Sequence, residues 1–170
     1  MADGDTFYWA GGRKVPLTAS ADVAIDLDSG AGAQLAEDSL AALRDGGRRL
    51  TSSLLLVPRS AAVAALGEEG ASARGVHPVF HSEDGSLVVV LPQVRVEGSD
   101  PERLAALGRS LTTAAVPAHV TDQTAERLTL EPDSGRGEDA LALANTLAES
   151  PDTDVAQARF LRVVRRPGPR

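Results

Sequence analysis

The chain has 170 residues, 42% of them hydrophobic and 24% charged, with a formal charge of −7 and no cysteine. That length suits one ordinary domain or two small ones with a sizeable core, and the apolar fraction argues against a wholly disordered chain. No stretch approaches the ~18 consecutive apolar residues of a membrane span, and the absence of Cys excludes disulfides, thiolate chemistry and the usual structural zinc sites. The opening Met1-Ala2-Asp3-Gly4-Asp5 has neither a basic nor an apolar region. No secretory signal is therefore expected, and a soluble cytoplasmic protein is predicted. Aromatic residues make up 3% of the chain, with Phe7, Tyr8 and Trp9 gathered in one tripeptide. So few rings leave almost no stacking platform for single-stranded nucleic acid. The acidic balance opposes duplex binding, which depends on neutralising phosphates. Neither a nucleic acid nor a membrane is expected as a partner.

In chain order, Tyr8 to Leu17 reads as a hairpin turning at Gly11-Gly12, where tight turns need positive φ. Val23, Ile25 and Leu27 alternate with Ala24, Asp26 and Asp28, the pattern of a strand with one buried face. Gly30-Ala31-Gly32 breaks that strand. Leu35, Leu40 and Leu43 then follow at near-helical spacing over 33–44, ending at Asp45-Gly46-Gly47. Leu54 to Val57 predicts a short buried strand, and Ala61 to Leu66 a short helix closed by Gly67. The small, polar run from Glu68 to Gly75 is the candidate linker.

Beyond it, Val76 to His81 and Ser86 to Val90 flank the turn sequence Ser82-Glu83-Asp84-Gly85. Pro92 is expected to interrupt before a further strand at Val94 and Val96. Ser99 or Asp100 caps a helix with Pro101 at its first position and Leu104, Leu107 and Leu111 on one face. Strands near Ala118 to Val120 and Arg127 to Glu131 come next. A second helix over Glu138 to Glu149 carries Leu141, Ala144 and Leu147 on one stripe. Ser150-Pro151 stops it, and Val155 to Val164 is a last extended run. This order predicts an α+β fold. Its C-terminal part is a ferredoxin-like βαββαβ unit, with a four-stranded antiparallel sheet and two helices on one face. A smaller mixed α/β subdomain precedes it. The expected boundaries are 1–75, 76–164 and a flexible basic tail at 165–170.

Sites for catalysis are sparse. Asp26-Leu27-Asp28 ends a strand where paired phosphoryl-transfer aspartates could sit, yet the only lysine, Lys14, lies upstream in the hairpin. Gly30-Ala31-Gly32 resembles the start of a dinucleotide fingerprint, but Leu35 stands where the third glycine belongs, which points to a turn. His77 and His81 share a strand face at a separation of about 13 Å, too far to hold one metal. His119 has no acid–nucleophile pair in sequence, and no Gly-x-Ser-x-Gly elbow occurs. No cofactor and no metal are expected, and a non-enzyme is predicted. The least favoured alternative is a small enzyme with a site around Asp26, Asp28 and His77 or His81. Charge is unevenly spread: Arg159, Arg162, Arg165, Arg166 and Arg170 fall in the last twelve residues with no acid among them. A cationic tail on an acidic body suits an acidic partner or groove.

The order of these pieces resembles the N-terminal prodomain of subtilisin-like serine proteases (subtilases), in a long intracellular bacterial form. Phe7-Tyr8-Trp9-Ala10-Gly11-Gly12-Arg13-Lys14-Val15-Pro16-Leu17 is similar to the aromatic, Gly-Gly, basic, Leu opening of those prodomains. Val76-His77-Pro78-Val79-Phe80, Asp84-Gly85-Ser86-Leu87 and Val94-Arg95-Val96 are similar to the hairpin that enters their inhibitory unit. The run from Glu138 to Pro151 resembles their second helix, and Val155 to Leu161 their last strand, which leads towards the protease cleft. Residues 30–75 match poorly, and the subtilase serine, histidine and aspartate motifs are missing. The resemblance therefore implies inhibition and chaperoning of a subtilisin-like serine protease, in cis or in trans, rather than proteolysis. It makes the last strand and tail the expected partner-binding segment: Phe160, Leu161, Arg162, Val163, Val164, Arg165 and Arg166. An interaction or scaffold protein that kept the fold without a protease partner is the alternative.

Overall fold

The aromatic tripeptide opens a hairpin, as its flanking residues require. Phe7–Ala10 (β1) pairs with Arg13–Asp26 (β2) across Gly11 and Gly12, whose φ values of 56° and 77° lie in the left-handed region. The structure is a computed structural model and describes residues 6–164. β2 is a single strand of 14 residues, where the sequence reading has a hairpin arm and a separate strand. A bulge joins the two parts: the register with its neighbour shifts between Ala19 and Val23, and the Asp22 N–H donates to Ser20 Oγ at 3.1 Å.

The remaining elements are Gly30–Ala33 (α1), Glu37–Gly46 (α2), Arg48–Arg49 (β3), Leu54–Pro58 (β4) and Arg59–Gly70 (α3). Val76–Ser82 (β5), Leu87–Glu97 (β6) and Pro101–Ser110 (α4) follow. Ala118–Gln123 (β7), Arg127–Pro132 (β8), Gly137–Ala148 (α5) and Val155–Val163 (β9) complete the described chain. The protein is mixed α+β, with five α-helices among the described residues and a large antiparallel sheet. The sheet is not limited to four strands. Hydrogen-bonded strands run β3-β4-β2-β5-β6-β8-β7, with β1 added to β2 and β9 to β6. β6 makes this possible by changing partners along its length: Leu87 to Val89 pair with β5, and Val94 to Glu97 pair with β8. Pro92 falls between those stretches, where its missing N–H costs no bond to either strand, so β6 continues through it.

The chain divides into two compact units. Among the described residues, one holds 6–7, 14–89 and 160–164, and the other holds 8–13 and 90–159. This differs from the expected break at 75–76. Val76 opposes Ile25 in the β2–β5 ladder, and Ala71, inside the supposed linker, is 1% exposed. The polar run therefore belongs to a core and joins no separate bodies.

In the unit built on 14–89, Val23, Ile25, Leu55, Val57 and Val76 of the sheet close on Leu43 of α2 and Ala62 of α3. Leu54, Leu55, Leu56 and Val57 are all buried, so β4 is covered on both faces. Of the helix expected over 33–44, only the part from Glu37 forms α2; extended backbone at Ala36 separates it from the single turn of α1, which is set by a close approach of backbone to backbone. A Cβ on Gly32 would lie 1.9 Å from the Asp26 carbonyl oxygen, and one on Gly30 would lie 2.0 Å from that of Arg74. Only glycine admits the turn, which is tied down by Asp26 N–H to Gly75 O at 2.7 Å and Ala31 N–H to Arg74 O at 2.9 Å.

In the unit built on 90–159, the strands lie in the order β9-β6-β8-β7. Val94 opposes Leu130 and Val96 opposes Leu128, and all four are fully buried. α4 and α5 both pack against β8. α4 starts where its cap dictates, because Asp100 Oδ1 accepts from the N–H groups of Glu102 at 3.0 Å and Arg103 at 3.2 Å. Leu104 of α4 and Ala140, Leu141, Ala144 and Leu147 of α5 are buried, as their spacing predicts.

Candidate functional site: the C-terminal strand and two clefts

β9 begins in register with β6, where the Asp154 N–H donates to Glu97 O at 2.9 Å. Its alternation is clear at first: Ala156 and Ala158 are buried, while Val155, Gln157 and Arg159 are exposed. Arg159 Nη1 donates to Gln93 Oε1 at 2.9 Å. The strand does not stop at Leu161 but continues to Val163. Phe160, Leu161 and Val163 are half-buried, Arg162 is exposed, and Val164 is 70% exposed. Arg165 and Arg166, and with them the expected tail at 165–170, lie outside the described residues.

Arg162 reaches the β5–β6 turn. Its Nη1 lies 3.9 Å from Asp84 Oδ2 and 3.5 Å from Ser86 Oγ. The turn is shaped to hold a carboxylate: Asp84 Oδ1 accepts from Ser86 Oγ at 2.6 Å and from Ser86 N–H at 2.9 Å. Those two bonds, foremost the hydroxyl one, hold the Asp84 carboxyl below its ordinary range, and the Arg162 charge adds to the effect. The pair is open to water, so it orients Arg162 more than it stabilises the fold.

The other sequence candidates fall elsewhere. Asp26 shapes a turn: Oδ1 accepts from Asp28 N–H and Oδ2 from Ser29 Oγ, each at 2.9 Å. The N–H of Ala31 is taken by Arg74 O, so Gly30-Ala31-Gly32 presents no phosphate cradle through that group. His77 stands opposite Ala24 on β5, 4% exposed, and its Nδ1 has no hydrogen-bond partner among the described residues. Burial lowers its pKa below the ordinary value, and the Asp26 charge partly opposes that. His81 opposes Thr18, six residues from Ala24 along β2, so the two histidines do not converge. His119 has an acid partner that sequence order hid: its Nδ1 lies 2.8 Å from Asp133 Oδ1, with both side chains about half exposed. Among the described residues no group of three or more His, Cys, Asp or Glu side chains could hold a metal ion. No helix among them is long and apolar enough to cross a membrane.

Sequence reasoning also missed two clefts among the described residues, because their walls come from strands far apart in the chain. In the 90–159 unit, about 550 Å³ is bounded by Arg95, Glu97, Ser99, Glu126, Arg127 and Asp154. Its cations are already answered: Arg95 pairs with Glu97, and Arg127 lies 4.0 Å from Asp122. In the other unit, about 410 Å³ is bounded by Asp22, Arg48, Leu56, His81, Leu87 and Val163. Compared with protein-family models, curated proteins and solved structures, the chain matches none.

Proposed function

We propose that this protein is a non-catalytic binding module of the subtilase-prodomain kind, an inhibitor and folding chaperone of a subtilisin-like serine protease acting in cis or in trans. The observation that carries the reading is the strand order β9-β6-β8-β7, with α4 and α5 as its two crossovers. That order supports reading the segment as a ferredoxin-like split βαβ unit. The face opposite Val94, Val96, Leu128 and Leu130 carries Arg95, Glu97, Arg127 and Thr129, a polar surface suited to docking on another protein. The end of β9 supplies the second element of binding. An extended ribbon at Phe160 to Val164 can add to the edge strand of a protease cleft, where backbone hydrogen bonds give affinity and alternate side chains enter pockets. Arg162, with Arg159 and the arginines that follow, steers it towards an acidic cleft at a rate that falls with salt.

The test is inhibition of purified subtilisin-like serine proteases by the full chain and by a chain ending at Leu161. The full chain is expected to inhibit competitively and to raise the refolding yield of the denatured protease. The shortened chain is expected to lose about tenfold or more in potency, the effect of removing a single well-placed contact region. Equal potency of the two forms removes the ribbon mechanism. Failure of the full chain against every such protease removes the reading.

One observation favours the alternative of an interaction or scaffold module without a protease partner. β9 runs through Val163, and Arg162 is held against Asp84 and Ser86 of the same chain, so this end completes its own fold. Under that reading neither form inhibits, and the partner engages the polar sheet face alone.

A further inference from the structure

We infer that the cleft bounded by Asp22, Arg48, Leu56, His81, Leu87 and Val163 binds a small amphiphilic zwitterion: an apolar α-amino acid, or a short peptide ending in one. The cleft encloses about 410 Å³, within the range of pre-formed ligand sites, which combine an apolar lining with a few convergent polar groups. Leu56, Leu87 and Val163 supply the apolar part, and Leu56 is 7% exposed. Arg48, Asp22 and His81 supply the polar part. None of these three side chains has a hydrogen-bond or ion-pair partner among the described residues. In that respect the site is unlike the larger cleft of the other unit, whose arginines are matched by internal acids.

The chemistry of the three groups selects the ligand. Arg48 is a permanent cation with a planar fork that fits a carboxylate, and Asp22 accepts from an ammonium group. His81 offers a ring nitrogen beside them. Register sets the spacing: Arg48 opposes Leu56, Leu56 opposes Ala24, and Asp22 lies two residues from Ala24 on the same face of β2. Two strand spacings, about 10 Å, separate them across the sheet with Leu56 between, and the two-residue offset adds about 7 Å along it, so the backbones lie about 12 Å apart. Both residues border the same cleft, so a ligand carrying a carboxylate and an ammonium group can meet the two within it. A purely apolar ligand would leave Arg48 and Asp22 desolvated without partners, and a purely ionic one would leave the leucines unused.

The inference does not rest on the inhibitory reading, and its experiment needs no protease. Isotope-labelled full-length protein is titrated with L-leucine, leucinamide, 4-methylpentanoate and the dipeptide Ala-Leu, and backbone chemical shifts are followed. Saturable shifts confined to the neighbourhood of the six residues are expected with leucine or the dipeptide, at a Kd on the order of 1 mM or tighter. Tighter binding of the dipeptide identifies a peptide end as the ligand, and tighter binding of leucine identifies the free amino acid. Leucinamide, which lacks the carboxylate, and 4-methylpentanoate, which lacks the ammonium, should each bind about tenfold more weakly. Arg48→Ala should cost a similar factor with an otherwise unchanged spectrum, since Arg48 is exposed at a two-residue strand. Asp22→Asn should abolish the preference for leucine over 4-methylpentanoate. Absence of saturable shifts with both leucine and Ala-Leu up to about 50 mM overturns the inference. So does binding that Arg48→Ala leaves unchanged.

Discussion

The unit built on residues 14–89 and the unit built on 90–159 are held together in different ways. In the second, side-chain pattern does the work. Strands bury one face and show the other, two helices carry apolar stripes, and Asp100 fixes where α4 starts. In the first, β4 is buried on both faces, and the turn after β2 closes by backbone-to-backbone contact at Gly30 and Gly32. A fold of the first kind is sensitive to an added Cβ at its backbone contact points as well as to losses from its core. A fold of the second kind should respond in proportion to the apolar volume removed.

The largest expected effect tests the backbone contact. Gly32→Ala places a methyl group 1.9 Å from a carbonyl oxygen that cannot yield without moving β2. A loss of more than about 4 kcal/mol in urea unfolding is expected, whereas Gly46→Ala, with open space around it, should lie within about 1 kcal/mol of the parent. Similar behaviour of the two variants would break the distinction. Leu128→Ala removes a fully buried side chain from the second unit and should cost about 3 kcal/mol by the same measurement.

The next effect is a pH dependence in the first unit. His77 is held neutral by burial, so the unfolded chain binds more protons than the native one once pH falls below the ordinary histidine value of 6.5. Stability should therefore decline as pH drops from 6.5 towards the lowered native pKa, by at most about 1.4 kcal/mol per unit, and His77→Leu should lack that component of the slope. Asp100→Ala should lower stability by about 1 kcal/mol in thermal unfolding through loss of two N–H acceptor bonds at α4. Arg162→Ala should change stability by less than about 0.5 kcal/mol, since its pairing with Asp84 is exposed to water.

The distribution of surprises along the chain follows the same contrast. α4, α5, β8 and the 76–90 hairpin were legible because caps, turns and apolar periodicity are local signals. β2 was read as two strands because a bulge at 20–22 looks in sequence like a break. The helix over 33–44 was read as one because Leu35, Leu40 and Leu43 keep their spacing, while the extended backbone at Ala36 leaves no mark on that pattern. Ala71 looked like linker because small and polar neighbours conceal a buried alanine. At the candidate site, the alternation of β9 was visible, but its continuation to Val163 and the anchoring of Arg162 by Asp84 were not, since the partner lies 78 positions earlier in the chain. The His119–Asp133 contact was missed for the same reason.

Sequence alone settled that Pro101–Ser110 and Gly137–Ala148 are helical, where α4 begins, and which side of β8 is apolar. These properties depend on neighbours within a few positions, and a one-dimensional pattern carries them. Tertiary structure alone decided that β6 serves two partners, that Gly30 and Gly32 meet the carbonyls of Arg74 and Asp26, and that Asp22, Arg48 and His81 open onto one cleft. Each of these is a meeting of residues brought together by strand pairing, and pairing is fixed only when the whole sheet has found its register.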